Sequence, residues 1–262
     1  MAKVTAALIV VVLAFVLIGS LGMNRTDADD SSTAKNPAQP GRVVLLELFT
    51  SQGCSSCPPA DRLLRKLGQE KSVIPVSYHV DYWNHIGWTD PFSSPEWSNR
   101  QRAYAEAMRS RQVYTPQLVV DGSVHLVGSD ERKIRKAVAE AMARPPRGEI
   151  DLVSVEWTKT AAAIEVRARN TSPGSADVIV AIIEGGLTTK VVRGENSGRA
   201  LENDHVVRTL VEAFTIEPGA EKKTRIRVPI DSRSRRERLR AVAFLQDRKS
   251  LEILVTTAGP LR

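Results

Sequence analysis

Two cysteines, Cys54 and Cys57, stand three positions apart in the stretch Glu47-Leu48-Phe49-Thr50-Ser51-Gln52-Gly53-Cys54-Ser55-Ser56-Cys57-Pro58-Pro59, and the sequence holds no others. A thiolate attacks a disulfide, and a second thiol one turn away can displace the mixed disulfide that forms. The pair follows an apolar run, Val43–Phe49, and opens a segment with apolar residues at 60, 63, 64 and 67, which is helical spacing. A helix N-terminus presents unpaired N–H groups and a partial positive charge, which favour a thiolate. Cys54 is then the solvent-facing nucleophile and Cys57 the resolving thiol, joined as a disulfide in an oxidising compartment. Two other readings stand beside this one: a static local disulfide, and half of a metal site. For the last, two ligands fall short of the four that structural zinc usually takes.

Further candidates surround the pair. His79-Val80-Asp81-Tyr82-Trp83-Asn84-His85 follows a second strand, Ser72–Val80. If that strand runs parallel to the first, the loop starts at the sheet end that carries Cys54, where α/β folds bind ligands. His79, Asp81, Tyr82 and Trp83 are therefore substrate-groove candidates. His79, Asp81 and His85 also have the chemistry of metal ligands or proton shuttles. The plainer reading is a loop packed by Tyr82, Trp83 and Trp88. Tyr114-Thr115-Pro116 stands before an apolar run, Gln117–Val120, and an antiparallel third strand brings Pro116 to the same end. A polar segment with glycines, Arg193–Arg199 followed by Glu202-Asn203-Asp204-His205, is either a strand connection or a loop folded over the cysteine face.

The elements that position these residues alternate at first. Ala60–Leu67 is predicted helical, with prolines in its first turn. Ser94 and Pro95 open a helix to about residue 110, and Ser129 caps another to about Ala143. Asp121-Gly122 between two short apolar runs signals a hairpin. The order β-α-β-α-β-β-α fills residues 42–146. After Arg144-Pro145-Pro146-Arg147-Gly148 the pattern becomes short strands parted by turn residues, predicted at 150–157, 163–169, 178–184, 188–192, 206–214, 224–228, 239–245 and 251–255. Such a run over residues 147–262 reads as a β-sandwich.

The first 22 residues form a separate piece. Val4–Leu21 is apolar behind a single Lys3, and a helix of that length spans about 27 Å. It reads as a signal peptide, for which Ser20-Leu21-Gly22 is a weak cleavage site, or as an uncleaved membrane anchor, which the length fits better. Either exports the rest of the chain, to the periplasm or beyond. Residues 23–41 are polar and read as a flexible linker. The net charge is +7, but the densest basic run, Arg233–Arg240, has no flanking aromatics and reads as a solvated face rather than a nucleic-acid site. No G-x-G-x-x-G motif is present, so no organic cofactor is expected.

The cysteine stretch through Ala60-Asp61, together with His79-Val80-Asp81-Tyr82-Trp83, Tyr114-Thr115-Pro116-Gln117 and Arg193–Arg199, resembles the bacterial secreted family called domain of unknown function twelve-twenty-three. More broadly, the chain resembles the thioredoxin-like superfamily. The resemblance covers about residues 42–262. It implies an α/β thioredoxin-like domain followed by an all-β sandwich, and thiol–disulfide exchange with an unknown thiol- or disulfide-bearing partner. It implies a cis Thr115–Pro116 bond beside the cysteines, with Pro116 and Thr115 meeting the substrate backbone. It implies that Glu47 is the buried carboxylate that takes the resolving thiol's proton; a Glu47 side chain that faces solvent or makes a structural hydrogen bond is the other reading. Gly53 and Ser55-Ser56 depart from the aromatic residue and the Gly-Pro usual in thioredoxins. Two rival functions remain open: a non-catalytic binding or scaffold protein with a static disulfide, and a periplasmic metal-handling protein.

Overall fold

Val-Leu-Leu-Glu-Leu-Phe-Thr is buried at every position and forms the first strand, β1 (Val44–Thr50). A strand whose two faces are both covered needs a near-continuous apolar sequence, and β2 (Val73–His79) has the same character. The computed structural model describes residues 42–158 and 160–260. Within them, β1 and β2 flank α1 (Pro58–Leu67), and α2 (Pro95–Ala107), β3 (Gln117–Val120), β4 (Val124–Val127) and α3 (Glu131–Met142) come after. β1 pairs parallel with β2 and antiparallel with β3, as expected. Ser94 Oγ accepts from the Glu96 N–H, and Pro95 opens α2. Asp121 and Gly122 both take positive φ in the β3–β4 hairpin, whose connection is the three residues 121–123 between the paired Val120 and Val124. The third helix is capped by Asp130, not by Ser129.

Side chains of β1 alternate between two cores. Leu46 and Leu48 pack with α1 and α3, whereas Leu45 and Phe49 pack with Trp97 and Tyr104 of α2.

The remaining strands are β5 (Gly148–Trp157), β6 (Ala161–Asn170), β7 (Ala176–Glu184), β8 (Leu187–Lys190), β9 (Ala200–Asn203), β10 (Val206–Ile216), β11 (Glu221–Pro229), β12 (Leu239–Asp247) and β13 (Ile253–Pro260). Most fall where the alternating pattern puts them; β9 is the exception, lying in a segment without a strand signal.

The expectation of a small α/β thioredoxin-like domain followed by a separate all-β sandwich is overturned. Eight strands form one mixed sheet in the order β13-β12-β7-β10-β2-β1-β3-β4. The physical reason is the free edge of β2. An unpaired edge leaves backbone groups unsatisfied, and here β10 supplies partners: Val206 pairs with Ser77, and the Ser77 N–H donates to the His205 carbonyl at 2.8 Å. Burial accompanies the pairing. Ile179, Ala181, Ile183, Val242 and Phe244 share one core with Leu45, Phe49 and Tyr78. The three strands β11-β6-β5 form a second layer, packed through Ile164 and Val166 on Val178, Val180 and Ala243, and β8 pairs with β9 in a sheet of two strands. Among the described residues no helix is long and apolar enough to cross a membrane. The apolar run 4–21 lies outside them.

Candidate functional site

The cysteines sit in the turn between the end of β1 and the start of α1, and they form a disulfide with a Cα–Cα distance of 5.4 Å. Cys57 is the N-cap of α1, so its carbonyl accepts from the Ala60 and Asp61 N–H groups. The solvent-facing nucleophile expected at Cys54 is not found. Cys54 is 1% exposed and Cys57 0%. Gly53 lets the chain pass close under Trp83, whose Cβ lies 3.1 Å from where a side chain on Gly53 would begin.

What covers the pair is the loop between β8 and β9, and it is the polar Arg193–Arg199 segment. The loop closes on itself through Val191 and Arg199 and through Gly198 and Val191. Asn196, fully buried, donates from Nδ2 to the carbonyls of Gln52 and Cys54, both at 2.9 Å. Arg199 Nη1 donates to Asn196 Oδ1 and fixes the amide's orientation. Glu195 accepts from the Ser55 N–H at 2.9 Å, and hydrogen bonds with Ser55 hold its carboxyl below the usual range. This loop acts as a strap over the disulfide.

Beneath the disulfide lies a polar cluster. Gln52 donates from its backbone N–H to Asp90 and from its side chain to Asn203 of β9. Asp90 Oδ2 also lies 2.7 Å from His79 Nδ1, with both residues buried. Burial alone would depress His79, but the Asp90 carboxylate beside it raises its pKa. Burial alone would raise Asp90, but His79 and the N–H groups of Gln52 and Phe92 outweigh it and hold Asp90 low. His79 Nε2 is buried without a hydrogen-bond partner.

Asp61, one helical turn after Cys57, accepts from Thr50 Oγ1 at 2.9 Å. Desolvation pushes its pKa up to about 6, against the lowering pull of His79 and Thr50. The residue lines a cleft of about 120 Å³ with Pro58, Arg62 and Leu201.

Glu47 is elsewhere. It is buried, but on the α2 face of β1, opposite the face that packs α1. Its Oε1 accepts from Arg100 Nε and Nη2 at 2.9 and 2.7 Å, and its Oε2 from the Tyr104 hydroxyl. The expected proton acceptor is therefore a structural ion pair. The carboxyl that shares a helix face with Cys57 is Asp61, and its signal in the sequence is the spacing of four from that cysteine.

The other candidates divide. Thr115–Pro116 is cis. Thr115 Oγ1 accepts from Trp83 Nε1 at 2.7 Å, which ties the Trp83 loop to the start of β3. Asp81 bonds Ser98 of α2, Tyr82 donates to Gln101, and His85 Nδ1 lies 2.7 Å from the Tyr82 carbonyl. The first two bonds hold the loop to α2, and the third lies within the loop. Among the described residues no group of three or more His, Cys, Asp or Glu side chains is arranged to hold a metal ion.

The family described as "Protein of unknown function (DUF1223)" matches residues 45–246. The solved structure of protein AGR_C_4864 from Agrobacterium tumefaciens is similar, with 28% identity and a TM-score of 0.68 over 86% of this chain and 97% of that one. HBP35 of Porphyromonas gingivalis shares the fold at 13% identity and a TM-score of 0.62, over 84% of this chain and 76% of that one. No curated protein matches.

Proposed function

We propose that this chain, which belongs to the DUF1223 family of proteins of unknown function, performs thiol–disulfide exchange at Cys54–Cys57 on a thiol- or disulfide-bearing partner outside the cytoplasm. The observation that carries the reading is a disulfide at a helix N-terminus with a carboxyl of pKa about 6 one turn behind it. A partner thiolate attacks the Cys54 sulfur, and a mixed disulfide forms as the Cys54–Cys57 bond breaks. Cys57 leaves as a thiolate and takes the proton of Asp61. A second partner thiolate attacks the partner's sulfur in the mixed disulfide, which releases the partner's disulfide and a Cys54 thiolate. In the reverse direction Asp61 accepts the Cys57 proton. A group titrating near neutrality serves both steps.

The burial of both sulfurs supports a second reading, a binding protein whose disulfide is static. The reduction potential separates the two. Structural disulfides usually lie below about −300 mV and catalytic ones above it. A potential above that value, with mixed-disulfide capture by a Cys57→Ser variant through Cys54, upholds exchange. A potential below it, with no capture, assigns the static role.

A further inference from the structure

His79 and Asp90 form a buried ion pair at the end of the sheet that carries the cysteines, and each is tied to a different part of that site. His79 is the last residue of β2 and stands in register with Thr50, the last residue of β1. Register partners on parallel strands point to one face. Thr50 shares its face of β1 with Leu46 and Leu48, which pack with α1. From that face Thr50 Oγ1 donates to Asp61 of α1. His79 therefore lies on the α1 side of the sheet, one strand over from the hydroxyl that bonds Asp61. Asp90, in the loop between β2 and α2, reaches the cysteine turn itself: its Oδ2 accepts from the Gln52 N–H, two residues before Cys54, at 2.8 Å.

The imidazole is costly to bury, because its Nε2 has no hydrogen-bond partner. An ionisable group kept buried with one polar atom unsatisfied marks a position where more than packing sets the residue type. Its electrical surroundings come from three elements. Burial opposes the charged ring, and so does Arg208 of β10, but Asp90 and then Asp61 outweigh them and hold His79 above its ordinary value. The effect is mutual: burial pushes Asp61 up to about 6, and His79 is the strongest of the groups that pull it down. His79 is thus mostly charged while Asp61 gains and loses its proton.

We propose, on the exchange reading above, that His79 is a positioning residue for the resolving step: held by Asp90, its imidazolium keeps Asp61 ionised and ready to take the Cys57 proton. In that step the Cys57 sulfur attacks the Cys54 sulfur of the mixed disulfide. The Cys57 proton passes to Asp61, and the partner's sulfur leaves as a thiolate. Without the imidazolium, Asp61 keeps its own proton at mildly acidic pH and has no room for another. Asp90 serves twice, as the counter-charge of His79 and as the acceptor that fixes the turn before Cys54.

Oxidation of the reduced full chain by oxidised glutathione, compared at pH 6 and pH 8, tests this. His79→Gln can still donate to Asp90 but carries no charge. It should slow the reaction about fivefold at pH 6, where Asp61 becomes protonated. At pH 8 the slowing should be less than about twofold, since Asp61 is ionised there with or without His79. A purely structural role predicts equal slowing at both. Asp61→Asn gives a second readout that does not depend on how His79→Gln folds. Imidazole NMR of that variant should show the His79 titration moved to lower pH, because a carboxylate that favours the imidazolium is gone. Equal slowing at both pH values in folded His79→Gln, or a His79 titration unmoved in Asp61→Asn, would each overturn the proposal and leave exchange standing. The static outcome of the potential measurement above removes exchange itself, and this role with it.

Discussion

Glu47 and Asp61 are both carboxylates drawn in from the same end of the chain, one from β1 and one from α1, and their surroundings differ in completeness. Glu47 has Arg100 on one oxygen and Tyr104 on the other, and Gln246 of β12 bonds both of those partners. Asp61 has a hydroxyl on one oxygen and lies beside a cleft. A buried charge whose partners are complete contributes to the unique packing of the fold. One whose partners are incomplete keeps a pKa near neutrality and remains able to exchange its proton. Burial of an acid is thus a poor guide to chemistry until its partners are counted.

The largest effect expected from breaking this contrast is at Glu47. Glu47→Ala leaves the Arg100 guanidinium buried and unpaired, which costs about 3–5 kcal/mol. Denaturant unfolding should show that loss, while the reduction potential of the cysteine pair moves by less than ~10 mV. Glu47→Leu combined with Arg100→Met should recover most of the stability, since it removes both charges together. A potential that shifts strongly while stability holds would reverse the roles assigned to the two acids.

The next effect concerns the strap. Asn196→Ala removes two hydrogen bonds to the carbonyls of Gln52 and Cys54. At about 1 kcal/mol net, opening should become easier and reduction by dithiothreitol about tenfold at most faster. An unchanged rate would mean that the strap does not limit access to the sulfurs.

Much of this region is legible in the sequence because its signals are local. The cysteine spacing, the proline-led helix, the Ser94 cap and the Asp121-Gly122 turn each act within a few residues. The family resemblance adds the cis Thr115–Pro116 bond. What is not legible depends on partners distant in the chain. The pairing of Ser77 with Val206 closes the edge of β2 and merges the sheet, and no short-range pattern encodes it. One signal is available: Val178-Ile179-Val180-Ala181-Ile182-Ile183 is continuously apolar, as in a central strand, and not alternating as in a sandwich face. Which of the two readings of Glu47 holds is illegible for a related reason. Alternation along β1 fixes that odd and even residues face opposite ways, but not which face receives α1. Asn196 reads as one polar residue in a polar loop, and its role depends entirely on where that loop lands.

Asp61 gives a smaller effect with a definite sign. Its carboxyl sits at about 6 in the folded protein against 3.8 for the free side chain. The folded state therefore holds this proton more firmly than the unfolded state. Asp61 leaves stability untouched below about pH 4, and its cost grows as the pH rises to 6 and is complete above it. Asp61→Asn keeps an acceptor for Thr50 and removes the charge. It should stabilise the protein by about 1 kcal/mol at pH 7, the partial exposure of the residue having reduced the full value, and by almost nothing at pH 3. It should also erase any inflection near pH 6 in the rate of exchange. Equal stabilisation at both pH values would show that the carboxyl is not the titrating group.

The smallest effect separates two consequences of one contact. Glu195 is exposed, and its carboxylate sits on the Ser55 N–H at the end of α1 that also holds Cys54. Its negative charge offsets the positive end of the helix, so it should raise the pKa of Cys54 once the disulfide is reduced. Its hydrogen bond also helps to hold the strap down. Glu195→Gln keeps an acceptor and removes the charge; Glu195→Ala removes both. Alkylation of the reduced protein at mildly acidic pH measures the thiolate, and at low ionic strength Glu195→Gln should react about two- to threefold faster than the parent. Salt should abolish that gain, because the charge is exposed and within reach of screening ions. Glu195→Ala should show the same gain plus a remainder that salt does not remove, and that remainder is the loosened strap. If Glu195→Gln reacts at the parent's rate in low salt, the carboxylate acts on the strap alone, and the electrostatics of Cys54 are set by α1 and the polar cluster beneath it.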